Sequence, residues 1–299
     1  MELSWLMKLR IAAAAAVGVL IVGILAWPLA APPSPFGAVR AGSIGYTGAV
    51  ALVFAAFLSG LIGYFVSWPY GREIGILAVP SGLAVWAVRS GSMGGLMQMH
   101  LAVGQREALY STMRWEPVFW LVIVAAGFSG VLLGRRIRPA PGSAEHAGKQ
   151  ESGLNVHLKA IIGLVASVLI AQICVRIFTQ NVELYNSELG SVVSQPAIGQ
   201  IVFGVVLSFG LAAFAAKTLL GVGYIWSILA SGLVIPVAAA IHAKESVLRV
   251  LSAQLPAICF PDTALSILPL QMVAFGTLGS VAGYWMGVKY VYWRRHESE

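Results

Sequence analysis

Residues 44–67 read IGYTGAVALVFAAFLSGLIGYFVS, twenty-four consecutive positions without a charged side chain. A helix needs about 20 apolar residues to cross the hydrocarbon core of a bilayer, so this one stretch is long enough to span it. Within it Gly45, Gly48, Gly60 and Gly63 recur among branched and aromatic residues. Small residues let helix backbones approach in lipid, where no hydrophobic force between helices exists to drive them together.

Working outward, seven further apolar runs have polar or Pro-rich flanks: 11–30, 74–89, 117–134, 158–177, 198–216, 219–241 and 266–290. The composition agrees, with 58% hydrophobic residues, 10% charged residues and a mean hydropathy of +0.83. A soluble domain carries roughly 25% charged residues, so a water-soluble fold is excluded. The sequence therefore predicts an all-α polytopic membrane bundle of about eight transmembrane helices.

The first run follows Lys8 and Arg10, as a secretory leader would, and precedes the small residues Ala30 and Ala31. Pro32 and Pro33 stand where cleavage would have to fall, so the expectation is a retained span.

Lys and Arg in short loops set orientation. With the N-terminus inside, twelve of the nineteen fall on the cytoplasmic side, including the dense cluster Arg135, Arg136 and Arg138, whereas 178–197 contains none. Both termini are expected in the cytoplasm of a bacterial inner, or cytoplasmic, membrane. The net charge of +7 is spread over helix ends without an aromatic-interleaved basic face. That distribution suits anionic headgroups and argues against nucleic acid.

The segment 135–157, RRIRPAPGSAEHAGKQESGLNVH, has linker composition and divides the chain into halves 1–134 and 158–299. Each half reads as four spans, with a very short turn before the third and a long outer connection after it. A shift of 154 pairs Ile44 and Gly45 with Ile198 and Gly199, and a shift of 153 pairs Gly130 and Gly134 with Gly283 and Gly287. These matches point to an internal 4+4 repeat; because four is even, both halves would enter the membrane in the same direction. The long outer connections, 90–116 and 242–265, mix apolar and charged residues as short interfacial helices do.

Candidate site residues lie in the third and seventh spans. Pro80, Ser81 and Gly82 fall in one, and Ser231, Gly232 and Pro236 in the other. Pro removes a backbone donor and crowds the preceding turn, so each span is expected to be kinked near mid-membrane, either around a ligand or simply to pack. Interrupted helices in corresponding places of two halves mark the binding site of many transporters.

Ionisable residues are nearly absent from the span centres, which excludes a buried carboxylate relay. Outside the spans, Met97, Met99 and His100 in MGGLMQMH offer soft ligands for Cu(I), or else simply fill an interfacial helix. Two cysteines, Cys174 and Cys259, do not make a disulfide framework or a CxxC site. No HExxH, GxSxG or Walker A motif occurs, so neither an enzyme nor a cofactor is expected. The sequence thus predicts a transporter or permease-like protein for a neutral or weakly polar solute, or else a non-catalytic structural or assembly subunit. Its expected partners are the lipid bilayer and other membrane proteins or a second copy, with no nucleic acid.

Overall fold

The computed structural model describes residues 4–32, 37–100, 102–139, 153–180, 182–186, 190–254 and 260–297. Much of the linker expected over 135–157 lies outside the described residues, and so does Cys259. In chain order the helices are α1 (Trp5–Gly18), α2 (Tyr46–Val66), α3 (Gly71–Ile74), α4 (Ala78–Arg89), α5 (Met93–Met99), α6 (Val103–Met113), α7 (Glu116–Ile137) and α8 (Gly153–Phe178). A hairpin of β1 (Val182–Asn186) and β2 (Gly190–Ser194) follows. Then come α9 (Ile198–Leu220), α10 (Tyr224–His242), α11 (Glu245–Gln254) and α12 (Pro269–Glu297). The fold is an α-helical membrane bundle, as expected.

By length and composition, seven helical stretches can cross a membrane: Trp5–Leu25, Tyr46–Val66, Gly71–Arg89, Val103–Ile137, His157–Phe178, Ile198–Leu220 and Tyr224–His242. The apolar run expected over 266–290 forms a helix, α12, whose 29 residues extend about 43 Å at the helical rise, but it is not among the stretches apolar enough to cross by composition. It is less apolar than the others because Gln271, Thr277 and Ser280 lie on it, all buried. Protein rather than lipid surrounds its first half, where polar side chains are tolerated.

The chain forms two compact units. Unit 1 comprises Met1–Ala31, Arg40–Arg89 and Phe119–Leu158. Ser4 caps α1 by accepting a hydrogen bond from the Met7 amide (3.3 Å). The helix then widens into a π-helical stretch, Val19–Leu25. Gly18 and Gly82 bring α1 and α4 into backbone contact, since a Cβ on Gly18 would collide with the Ala78 carbonyl and one on Gly82 with the Gly18 carbonyl. Trp86 is fully buried, meets Trp27 and Trp120 edge-on and donates its indole N–H to the Gly23 carbonyl (3.1 Å). Trp120, near the start of α7, is fully buried in this core. On α7, Gly130 lies against the Phe57 carbonyl of α2 and Gly134 against the Tyr64 ring.

Unit 2 comprises Pro32–Val39, Ser90–Val118 and Lys159–Glu299. α5 and α6 therefore cluster with the second half of the chain. Its central contact is α12 on α9. Gly279 meets the Val206 carbonyl, Gly283 the Gly210 carbonyl and Gly287 the Lys217 side chain. α9 ends at Gly221, whose left-handed φ of 69° turns the chain toward α10. The hairpin pairs Val182 with Ser194 and Asn186 with Gly190.

The same spacing recurs in the two units. Stretches Gly71–Arg89 and Tyr224–His242 have 19 residues each and begin and end 153 positions apart. α7 and α12 begin 153 apart. The contact of Gly130 with Phe57 recurs as Gly283 with Gly210, and that of Gly134 with Tyr64 as Gly287 with Lys217, every residue displaced by 153.

A Cβ at Gly283 would collide with the Gly210 carbonyl, whereas at Gly199 nothing lies within 4 Å. Substitution G283L should lower stability by about 1–3 kcal/mol or more, as overpacking does. Thermal unfolding of the detergent-solubilised protein should show a Tm several degrees lower for G283L and little change for G199L.

Candidate functional site

Pro80 is the third residue of α4 and is buried. Lacking an N–H, it leaves the Ile76 carbonyl without its α-helical donor. The chain tightens there into a 3-10 turn, Gly75–Leu77, which falls near the start of the third stretch and leaves Pro80 in the first turn of α4. Ser81 is half-buried beside it. Gly82, the third member of the group, is taken up by the close approach of α1.

In unit 2, Pro236 lies inside an α10 that runs on from Tyr224 to His242 without a break. Ser231 donates its hydroxyl to the Ile228 carbonyl (2.6 Å), and its Cβ would lie 2.7 Å from a Cβ placed on Gly276 of α12. Gly232 is buried in the same helix. At the 153-residue offset Pro80 corresponds to Leu233 and Pro236 to Leu83, so the two prolines stand about one helical turn out of register.

Met97, Met99 and His100 do not converge. Met97 is fully buried, Met99 is half-exposed, and the His100 Nδ1 lies 2.8 Å from the Leu96 carbonyl within its own segment. Met93 and Met113 instead share a narrow apolar crevice of unit 2 with Tyr110, Ile235, Ala239, Leu265 and Ile267. Among the described residues no group of three or more His, Cys, Asp or Glu side chains is placed to hold a metal ion.

The strongest polar cluster joins three elements of unit 2 that are far apart in sequence. Arg176 near the end of α8 donates Nε–H to Asp262 Oδ2 (2.8 Å), and its Nη2 lies 2.6 Å from the same oxygen. Asp262 Oδ1 accepts the amide of Ala264 (2.9 Å), capping the 3-10 turn Thr263–Ser266. His242, the last residue of α10, places Nε2 2.8 Å from Arg176 Nη2 and 3.7 Å from Asp262 Oδ2. The Asp262 side chain is 5% exposed against 46% for Arg176, so the carboxylate is the desolvated partner and the guanidinium its wetted counterion. A carboxylate so placed requires its donors, because a buried charge without partners is strongly destabilising. Nearby, Gln195 donates to the Ser266 carbonyl (2.9 Å) and accepts from the Gly94 amide (2.7 Å), tying the start of α9 to α5 and to the turn before α12.

The pattern of apolar runs gives Asp262 no role. The available signal was Pro261-Asp262-Thr263, an acidic residue at the start of a turn shortly before an apolar run.

These elements define an integral membrane protein of the multi-pass helical class. Comparison with protein-family models, with curated proteins and with solved structures finds no match.

Removing either side of the pair isolates its energy. In a double-mutant cycle, D262A and R176A should each destabilise the detergent-solubilised protein and show a coupling of about 1–3 kcal/mol, the range for hydrogen bonds to charged groups. Chemical unfolding monitored by circular dichroism measures it, with additive single-mutant effects contradicting the assignment.

Proposed function

We propose that this chain is a non-catalytic subunit whose two helical membrane units pack internally and present their remaining faces to lipid and to other membrane-embedded chains. The observation that carries this reading is the occupation of the candidate residues within their own units. Gly82 closes on Gly18, Pro80 is buried beneath the 3-10 turn, and the Ser231 hydroxyl is spent on its own helix opposite Gly276. Outward, Ile225, Leu229, Leu233, Val237 and Ile241 make an exposed branched ridge with four-residue spacing along α10. Such a row suits ridge-into-groove packing by another helix as well as contact with acyl chains.

The 153-residue register supports a second element of the reading, a tandem duplication with a linker near 135–157. Both the paired spans and the paired glycine contacts keep the offset. The Lys and Arg distribution supports cytoplasmic termini and a bacterial inner membrane.

A permease for a neutral or weakly polar solute is the second reading. The 3-10 turn Gly75–Leu77 near the start of the third stretch favours it, because a break in the α-helical pattern frees carbonyls where a ligand could meet them.

Proteoliposome swelling separates the two. With an inward gradient of glycerol, urea or arabinose, the subunit reading expects wild-type vesicles to swell no faster than empty ones. The permease reading requires faster swelling that changes in P80A or P236A while the amount of inserted protein stays the same.

A further inference from the structure

One end of unit 1 gathers cations around the turn between α2 and α3. Arg138 lays its guanidinium 4.0 Å from the centre of the Trp68 ring, and Arg10 from α1 lies 5.8 Å from the centre of the Tyr70 ring. The Tyr64 hydroxyl donates to the Arg138 carbonyl (2.6 Å), pinning the end of α7 to the end of α2. Arg135 and Arg138 are both close enough to act electrostatically on that phenol. Arg72 on α3 and Arg136 near the end of α7 are exposed, and Glu73 is the acidic neighbour of Arg72 in sequence. Among the described residues, none of these five arginines forms a salt bridge with a carboxylate. The Trp68 indole N–H is shielded from solvent and has no hydrogen-bond acceptor.

The positions 153 residues on do not repeat this arrangement. They are Gly163 for Arg10, Gly221 for Trp68, Val288 for Arg135 and Val291 for Arg138. Arg136 maps onto Lys289, and unit 2 has a Lys217–Tyr284 contact of its own (5.3 Å), but the four positions of the arginine and tryptophan group are not kept there.

We infer that Arg10, Trp68, Arg135 and Arg138 form a seat for the phosphodiester headgroup of an anionic phospholipid. Guanidinium groups match phosphate oxygens in a planar fork, and a small reorientation of Trp68 adds a neutral donor to the same anion. Position identifies the source of the phosphate as lipid. The turn follows directly on the membrane-length helix α2, and Phe65 and Val66 on that helix with Leu133 and Ile137 on α7 are exposed apolar side chains at the same level. Acyl chains attached to a headgroup in the seat would run along them. The aromatic rings and arginines occupy the depth at which headgroups lie.

Native mass spectrometry of the full-length protein in mixed micelles tests the assignment, with equimolar dioleoylphosphatidylglycerol and dioleoylphosphatidylcholine as the probes. The wild type should retain one phosphatidylglycerol with about tenfold preference, and R135Q/R138Q should lose most of that preference, as removal of two interfacial cations implies. R135K/R138K should keep a substantial part of it, and K289Q, at the end of α12, should leave it unchanged. If R135Q/R138Q fails to fold, W68F decides: it keeps a ring under Arg138, removes the N–H, and should weaken retention about threefold. Equal retention of the two lipids by the wild type, full retention by R135Q/R138Q, or wild-type retention by W68F where the arginine pair cannot be scored would overturn the proposal. Displacement of the lipid by millimolar inorganic phosphate would likewise overturn it, by identifying a site for the free anion.

Discussion

The contact between α9 and α12 organises the second unit, and it rests on the absence of side chains. In lipid two helices gain nothing by hiding apolar surface, so their attraction comes from how closely the backbones approach and how well the flanking atoms fit. Gly279 and Gly283 remove the Cβ atoms that would keep α12 away from the Val206 and Gly210 carbonyls. The consequence reaches beyond packing. With its first half enclosed, α12 can carry Gln271, Thr277 and Ser280, a composition poorly suited to a lipid-facing helix.

Unit 1 uses the same device, with Gly130 against the Phe57 carbonyl, and adds a core of three tryptophans around Trp86. Unit 2 adds polar ties near the ends of its spans, where Arg176, Asp262 and His242 link α8, α10 and the turn before α12. Glycine contacts set helix spacing along the apolar length, and charged hydrogen bonds fix helix ends where the surroundings are wetter. This division follows the polarity gradient across a bilayer. The arginine and tryptophan cluster of unit 1 lies at a helix end too, but among the described residues its cations make no salt bridge with a carboxylate.

Legibility in the sequence followed from how local each signal was. Apolar runs are contiguous, so 44–67 and 198–216 anticipated α2 and α9 closely, and the outer connections yielded α5, α6 and α11. The first apolar run begins at residue 11, whereas α1 begins at Trp5, because Lys8 and Arg10 are accommodated in a helix already capped by Ser4. The hairpin has little local signal, since in VELYN only Val182, Glu183 and Leu184 alternate apolar and polar. Pro80 and Pro236 both fall in the third span of their half, but the offset common to the spans separates them by a helical turn. The Arg176–Asp262 pair spans 86 positions, and spacing along the chain carries no information about such a meeting.

The central claim is that α12 crosses the membrane although it is the least apolar of the long helices, because α9 shields it. Labelling single cysteines introduced at Pro261 and at His296 with a membrane-impermeant maleimide, in a protein whose Cys174 and Cys259 are replaced by serine, tests this directly. The account predicts that the two positions react from opposite sides of sealed vesicles. Reaction of both from the same side would show that α12 does not span, and would contradict it.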